Sequence, residues 1–330
     1  MTAFIGRRAF ITLLGGAAVA WPLAARAQQR ERTRHIGFLI GLPADDPESH
    51  ARHAAFLQGL QELGWTVGRN LRMDYRSAGG SADLYSKYAA ELVALAPEVI
   101  VTGGTAALAA LLQATRTVPV VFANVIDPVG AGYIASVARP GGNATGFMNN
   151  EFGLAAKWLE LLKQIAPRVT RAVVIRNPGT ATSYLAAMQA VAPSFGVELT
   201  PVSGVDAGEM ERSITTFARG PNDGMIVTGS LQRVQRDLTI ALAARHRLPA
   251  VYPFRSFVTE GGLISFGTDQ ATPYRLAAGY VDRILKGEKP ADLPVQAPTK
   301  FEIAINLKTA KALGLEVPPT LLVRADEVIE

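Results

Sequence analysis

The chain has 330 residues, of which 48% are hydrophobic, 18% charged and 7% aromatic, which excludes a disordered or fibrous protein and, at roughly 150 residues per domain, suggests two lobes. Its net charge of +5 is concentrated at the start: Arg7, Arg8 and Arg26 precede any acid, and the rest is nearly balanced, so a nucleic-acid or anionic-membrane partner loses support. With no cysteine, a disulfide framework, a thiolate metal site, a Cys nucleophile and a lipid-modified Cys at a signal cleavage site are excluded together.

The first 27 residues carry Arg7-Arg8, an apolar stretch over Ile11–Ala20, and the small-x-small pattern Ala25-Arg26-Ala27. That order reads as an export signal cleaved after Ala27, leaving Gln28 as the mature terminus. The stretch is shorter than the roughly 20 residues that span a bilayer. A buried helix at a cytosolic terminus is the competing reading, but the apolar positions are not amphipathic and end in Gln28-Gln29-Arg30. Arg7-Arg8-Ala9-Phe10-Ile11 resembles a twin-arginine signal, whose route exports folded proteins. Nothing else in the chain has the pattern of a membrane span.

After Arg34, short β-branched runs alternate with helical patterns, the signature of parallel sheets with crossover helices. Residues 35–40 form a first strand, followed by the turn Gly41–Asp46. A helix follows with Phe56, Leu60 and Leu63 on one face, ending at Gly64. Strands are expected at 71–75, 98–102, 118–122 and 144–148, with helices over 84–95 and after Thr105. The pattern then restarts: Trp158, Leu161, Leu162 and Ile165 share a helical face, and residues 171–176 form a new first strand that turns at Asn177–Thr180. Further strands are expected at 198–201, 224–228, 250–252 and 263–266, with Val234, Leu238, Ala241 and Leu242 marking a helix. The halves echo each other in Ile100-Val101-Thr102-Gly103-Gly104 and Ile226-Val227-Thr228-Gly229-Ser230. Two βα lobes whose strand ends face each other across a cleft would bind a ligand there.

Candidate ligand residues follow from these turns. Gly103 and Gly104 allow close backbone approach, and exposed N–H groups at the next helix start favour a carboxylate, although an ordinary tight βα turn has the same sequence. Thr105 and Ser230, just inside helix starts, could add hydroxyl donors, with Gly229 as the echo. Asp127 could accept a ligand ammonium, with Asp269 in reserve; an Asx turn and a helix cap are the competing readings. On the ammonium reading, Asp127→Asn weakens binding about tenfold or more. Asn124 and Asn177 stand in similar turns, and Gly267 precedes Asp269. Tyr252 and Phe254 could wall an apolar pocket or belong to the core. His50 and His53 lie within reach of one metal, but no third ligand completes a site, so a solvated helix face is preferred. There is no Gly-Lys-Ser/Thr phosphate loop, no Gly-x-Gly-x-x-Gly at the first strand and no Gly-x-Ser-x-Gly elbow. No catalytic set assembles, and no metal or cofactor is expected.

The signal, Val101–Thr105, Arg139-Pro140-Gly141-Gly142-Asn143-Ala144-Thr145-Gly146 and the tail Pro298–Ala310 together resemble one family, the ABC-transporter substrate-binding proteins whose members include binders of aromatic amino acids. The resemblance covers essentially the whole chain. It implies an α/β protein of two Rossmann-like lobes with parallel sheets and a hinge, the type I periplasmic-binding fold, with three crossings between lobes. The expected division is a signal at 1–27, a first lobe of 34–148 plus about 272–297, and a second of 149–271 plus about 298–330. The implied role is a periplasmic solute receptor without a lipid anchor, binding a small carboxylate, expected to be an amino acid. Its partners would be that ligand and an inner-membrane ABC permease; no nucleic acid is expected and the protein should be a monomer. The stretch before Asp127 is less Gly-rich than is usual in the family. A periplasmic enzyme acting on a small metabolite and a cytosolic-type effector-binding regulator are the alternatives; the regulator would need a helix-turn-helix where the export signal stands.

Overall fold

Each β-branched run becomes a strand of one of two sheets in a computed structural model that describes residues 33–149, 153–176, 182–229 and 233–330. The export signal lies outside the described residues. The first sheet contains β1 (Arg34–Ile40), β2 (Leu71–Ser77), β3 (Val99–Gly103), β4 (Val120–Val125) and β5 (Ala144–Met148), all parallel, in the order β2-β1-β3-β4-β5. Its helices α1 (Pro47–Glu62), α2 (Ala82–Ala94) and α3 (Thr105–Ala114) connect the strands. In β1, Ile36, Phe38 and Ile40 enter one apolar cluster and Leu39 another. Burial on both faces is why this strand reads as an unbroken apolar run. α1 starts where its signals stand: Asp46 accepts from the Glu48 N–H at 2.8 Å, and Pro47 and Glu48 occupy the first turn.

The second lobe opens with α4 (Gly153–Ile165). Its sheet comprises β6 (Arg171–Arg176), β7 (Glu198–Ser203), β8 (Asp223–Thr228), β9 (Ala250–Tyr252), β10 (Ile264–Gly267), β11 (Glu302–Asn306) and β12 (Glu327–Ile329), in the order β12-β11-β10-β9-β8-β6-β7. Every pairing is parallel except β10 with β11. Around it lie α5 (Thr182–Val191), α6 (Ala207–Phe217), α7 (Arg233–Arg245) and α8 (Arg255–Thr259). The predicted face of Trp158, Leu161, Leu162 and Ile165 packs into one core of this sheet, and Met210, Ile214, Phe217 and Leu242 into the other.

α9 (Thr272–Leu285) follows β10 but packs on α1 and on β3, β4 and β5 of the first sheet. The contact is close enough to require Gly59, since a Cβ there would lie 2.5 Å from the Arg275 carbonyl oxygen. The chain then returns to β11, α10 (Leu307–Leu313) and α11 (Pro319–Leu322). It therefore passes between the sheets three times, after β5, after β10 and before β11. These passages are tied together. The Met148 N–H donates to the Gln296 carbonyl at 2.9 Å, and the Thr268 hydroxyl donates to Asn149 Oδ1 at 2.5 Å. Two α/β lobes with mostly parallel sheets, joined at a hinge, are thus present. No helix among the described residues is long and apolar enough to cross a membrane.

Candidate functional site

The carboxyl ends of β4, β8, β9 and β10 meet around a cavity that opens to solvent between the two sheets. Its apolar side comes from Ile126, Leu154, Trp158, Tyr184 and Phe254. The Trp158 and Tyr184 rings are 5.3 Å apart, centroid to centroid, and tilted by 59°. Both are held by their polar ends: the Trp158 indole donates to the Phe266 carbonyl at 2.7 Å, and the Tyr184 hydroxyl to the Asn149 carbonyl at 3.2 Å. Fixed aromatic walls give large contact area with little entropy left to lose.

Asn124 is the polar counterpart. It is buried, with φ of +56°, a left-handed conformation that Asn tolerates better than most residues. Its Nδ2 donates to the Gln270 carbonyl at 2.8 Å, which fixes the amide orientation and leaves Oδ1 as a buried acceptor without a partner. Such an atom is costly to leave unpaired. The Gln270 side chain in turn donates to the Thr268 hydroxyl at 3.0 Å.

The other predicted residues divide. Gly229 (φ +86°), Phe254 and Gly267 line the cavity beside Asn124. Gly104 (φ +87°) caps α3, and the Thr105 hydroxyl accepts from the Ile126 N–H at 3.1 Å, which ties this helix start to the cavity wall. Gly103 answers to packing: a Cβ there would lie 1.7 Å from the Tyr274 hydroxyl. Asn177 and Ser230 lie outside the described residues. Asp127 (φ +43°) closes its own turn, Oδ1 accepting from the Gly130 N–H at 2.9 Å, and does not line the cavity. Tyr252 is placed in the core, stacked on Phe257 at 5.0 Å and buried so fully that its hydroxyl pKa is pushed up. Three buried residues make β9 a core strand, with room for a cavity-lining aromatic only beyond its end, at Phe254. Asp269 serves as a cap ahead of α9, accepting from the Ala271 N–H at 2.9 Å, the Thr272 N–H at 3.1 Å and the Thr272 hydroxyl. Burial pushes this carboxyl up, but those donors and Lys300 outweigh it and hold its pKa below the ordinary Asp range.

Trp158, Tyr184 and Asn149, which also line the cavity, are not among the predicted ligand residues. Trp158 sits on the expected helical face, where a core role and a cavity role share one periodicity. The position of α4 directly after the first crossing was the available signal. His53 also departs from expectation: its ring is half-buried beside Phe38 and Tyr75, at 5.4 and 5.0 Å, and burial pushes its pKa down. No three His, Asp or Glu side chains among the described residues converge as a metal site.

Next to the aromatic cavity is a second, solvent-open space, lined by charged side chains, between α1, α8 and the Gly267–Ala271 passage. Arg52 and Glu48 of α1 face Ser256 and Arg255 of α8 across it. Arg52 pairs with Glu48 at 2.8 Å, and the Ser256 hydroxyl donates to Glu48 Oε1.

A family model described as ABC transporter substrate binding protein matches residues 42–329. The chain is 24% identical over 288 residues to the tyrosine-binding protein of Clostridioides difficile (strain R20291), a match that covers 87% of this chain and 82% of that protein. Two solved structures align with a TM-score of 0.82, each over 90% of this chain and 100% of the other. One is a conserved domain protein from Vibrio cholerae O1 biovar El Tor, 27% identical. The other, 24% identical, is the ABC domain from Streptococcus pneumoniae in complex with L-Trp.

Proposed function

Since the chain belongs to the ABC transporter substrate-binding protein family, we propose that it is the receptor for an amino acid with an aromatic or large apolar side chain. The observation that carries this reading is a cavity walled by Trp158, Tyr184 and Phe254 that also contains one buried, unpartnered acceptor, Asn124 Oδ1. In this reading the aromatic walls take the ligand side chain and Asn124 Oδ1 takes its ammonium. The α3 start at Gly104-Thr105 takes the carboxylate, with Asn177, Gly229 and Ser230 as candidates from the opposite lobe. The tyrosine and tryptophan named with two relatives fit the same chemistry.

We further propose that the protein is exported to the periplasm without a lipid anchor and works as a monomer. It delivers its ligand chemically unchanged to an inner-membrane permease, with no cofactor. We place the first lobe at 34–148 plus about 272–297 and the second at 149–271 plus about 298–330, with closure about the three crossings. The test is calorimetry and thermal shift on residues 28–330 with amino acids, small carboxylates, sugars and nucleosides. Aromatic L-amino acids should stabilise the fold, by about 2.7 kcal/mol at a hundredfold excess over Kd. They should be recovered intact by mass spectrometry. Binding confined to sugars or nucleosides would overturn the ligand assignment, and steady conversion at sub-stoichiometric protein would overturn the receptor reading.

A further inference from the structure

α7 of the second lobe buries a guanidinium away from the aromatic cavity. Arg236 is 3% exposed. Its Nε lies 3.0 Å from Glu260 and 3.9 Å from Asp237, both in the same lobe. Its Nη atoms lie 3.6 Å from Glu48 and 3.9 Å from Asp46, which begin α1 of the first lobe. Glu48 also accepts from the Ser256 hydroxyl, a second link between the lobes. None of these residues lines the aromatic cavity.

The arrangement has a feature that separates a latch from a lock. Each charge keeps a partner on its own side: Arg236 has Glu260, Glu48 has Arg52 at 2.8 Å, and Asp46 accepts from the Glu48 N–H at 2.8 Å. Parting the lobes therefore strands no buried charge and lets water reach all of them. Closing removes that water in exchange for cross-lobe attraction, and at such buried pairs the two terms nearly cancel. A closed state held by a small difference can be entered and left. Removing either member changes the balance: without Arg236, Asp46, 1% exposed, is shut away facing no cation from the other lobe, and without the Glu48 charge, Arg236 is shut away with one anion fewer.

We propose that Arg236 is a positioning residue for ligand capture, holding the lobes closed through Asp46 and Glu48 and so slowing ligand release without touching the ligand. This rests on the receptor reading for its purpose, but its geometry can be tested separately. The chain has no cysteine, so cysteines at exposed Leu63 and Val205, one in each lobe, carry spin labels without background. Pulsed dipolar distances would be recorded on residues 28–330, without ligand and in saturating L-tyrosine, for the parent, Arg236→Met and Glu48→Gln. The parent should show a shorter-distance closed population, and each variant should reduce its ratio to the open one about tenfold. The double variant should do little more, and Arg236→Lys should fall between. The two variants sit in different lobes, so a folding defect in one leaves the other to decide. Unchanged ratios under both conditions, or no closed population under either, would overturn the latch. A parent whose distances ignore L-tyrosine while the variants still shift would count against L-tyrosine as ligand and leave the latch standing.

Discussion

Thr102 and Thr228 stand near the carboxyl ends of equivalent strands of the two lobes, and each hydroxyl donates at 3.1 Å to a carbonyl of its lobe's first strand, Leu39 or Ile175. A left-handed glycine follows each, two residues on at Gly104 and one residue on at Gly229. Beyond that shared turn the lobes part company. The first lobe brings to the cavity an amide with an open acceptor, Asn124, and Ile126, whose N–H donates to the Thr105 hydroxyl. The second brings Trp158, Tyr184 and Phe254. The backbone device is common to both halves and the chemistry is not. One lobe is suited to orienting a polar head and the other to enclosing an apolar body.

Removing the heaviest part of the second lobe's contribution should have the largest effect. Trp158→Ala would empty a site that is 1% exposed and lose the bond to Phe266, lowering stability by about 3–5 kcal/mol in urea unfolding and abolishing binding of aromatic amino acids. The first lobe's contribution should be separable from stability. Asn124→Ala is expected to weaken ligand binding by about 1.5–3 kcal/mol, the range for a hydrogen bond to a charged group, while calorimetric unfolding without ligand changes by about 1 kcal/mol or less. If instead both properties fell together, the division of labour would be wrong.

Asp269 belongs to the passage between the lobes, and its effect should be on stability alone. Asp269→Ala removes a cap worth about 1 kcal/mol. Because the folded carboxyl is held low, its stabilising contribution is complete above about pH 4. It is lost as pH falls through the lowered value. Acid unfolding of the parent should show this component and the variant should lack it. Smaller again, Thr102→Val and Thr228→Val should each lower stability by about 1 kcal/mol; clearly unequal losses would show that the two turns are not one device used twice. Least of all, Asp127→Asn should leave ligand affinity unchanged in a titration, since that side chain is committed to Gly130.

The strands were legible because parallel sheets covered on both faces need apolar runs, as at residues 172–175 and 250–252; the expected limits 144–148, 171–176 and 250–252 coincide with the observed ones. The site was legible only in part. Glycine and asparagine turns announce themselves by residue type, and Gly229, Gly267 and Asn124 line the cavity. Whether an aromatic faces core or cavity depends on what lies opposite, which no local pattern records: Tyr252 is wholly core, whereas Trp158 is core on one side and cavity wall on the other. Arg236 is less legible still. Its partners in the other lobe, residues 46 and 48, stand nearly 190 positions earlier, a pairing that no pattern local to its own helix records.

α9 is made after nearly all of the second lobe, yet Tyr274, Ala277, Ala278, Val281 and Ile284 pack into the first lobe's core with Phe38 and Phe56. A nascent chain that has reached Gly267 contains every strand of the first sheet and still lacks one wall of its interior. Folding one domain at a time from the N-terminus, the usual order during synthesis, is therefore closed to this protein. The half synthesised first is the half completed late, once the ribosome has passed residue 285. Until then Phe38 and Phe56 stay within reach of water and of chaperones, and a ribosome-bound fragment ending before α9 should be cut by protease at sites the full chain protects.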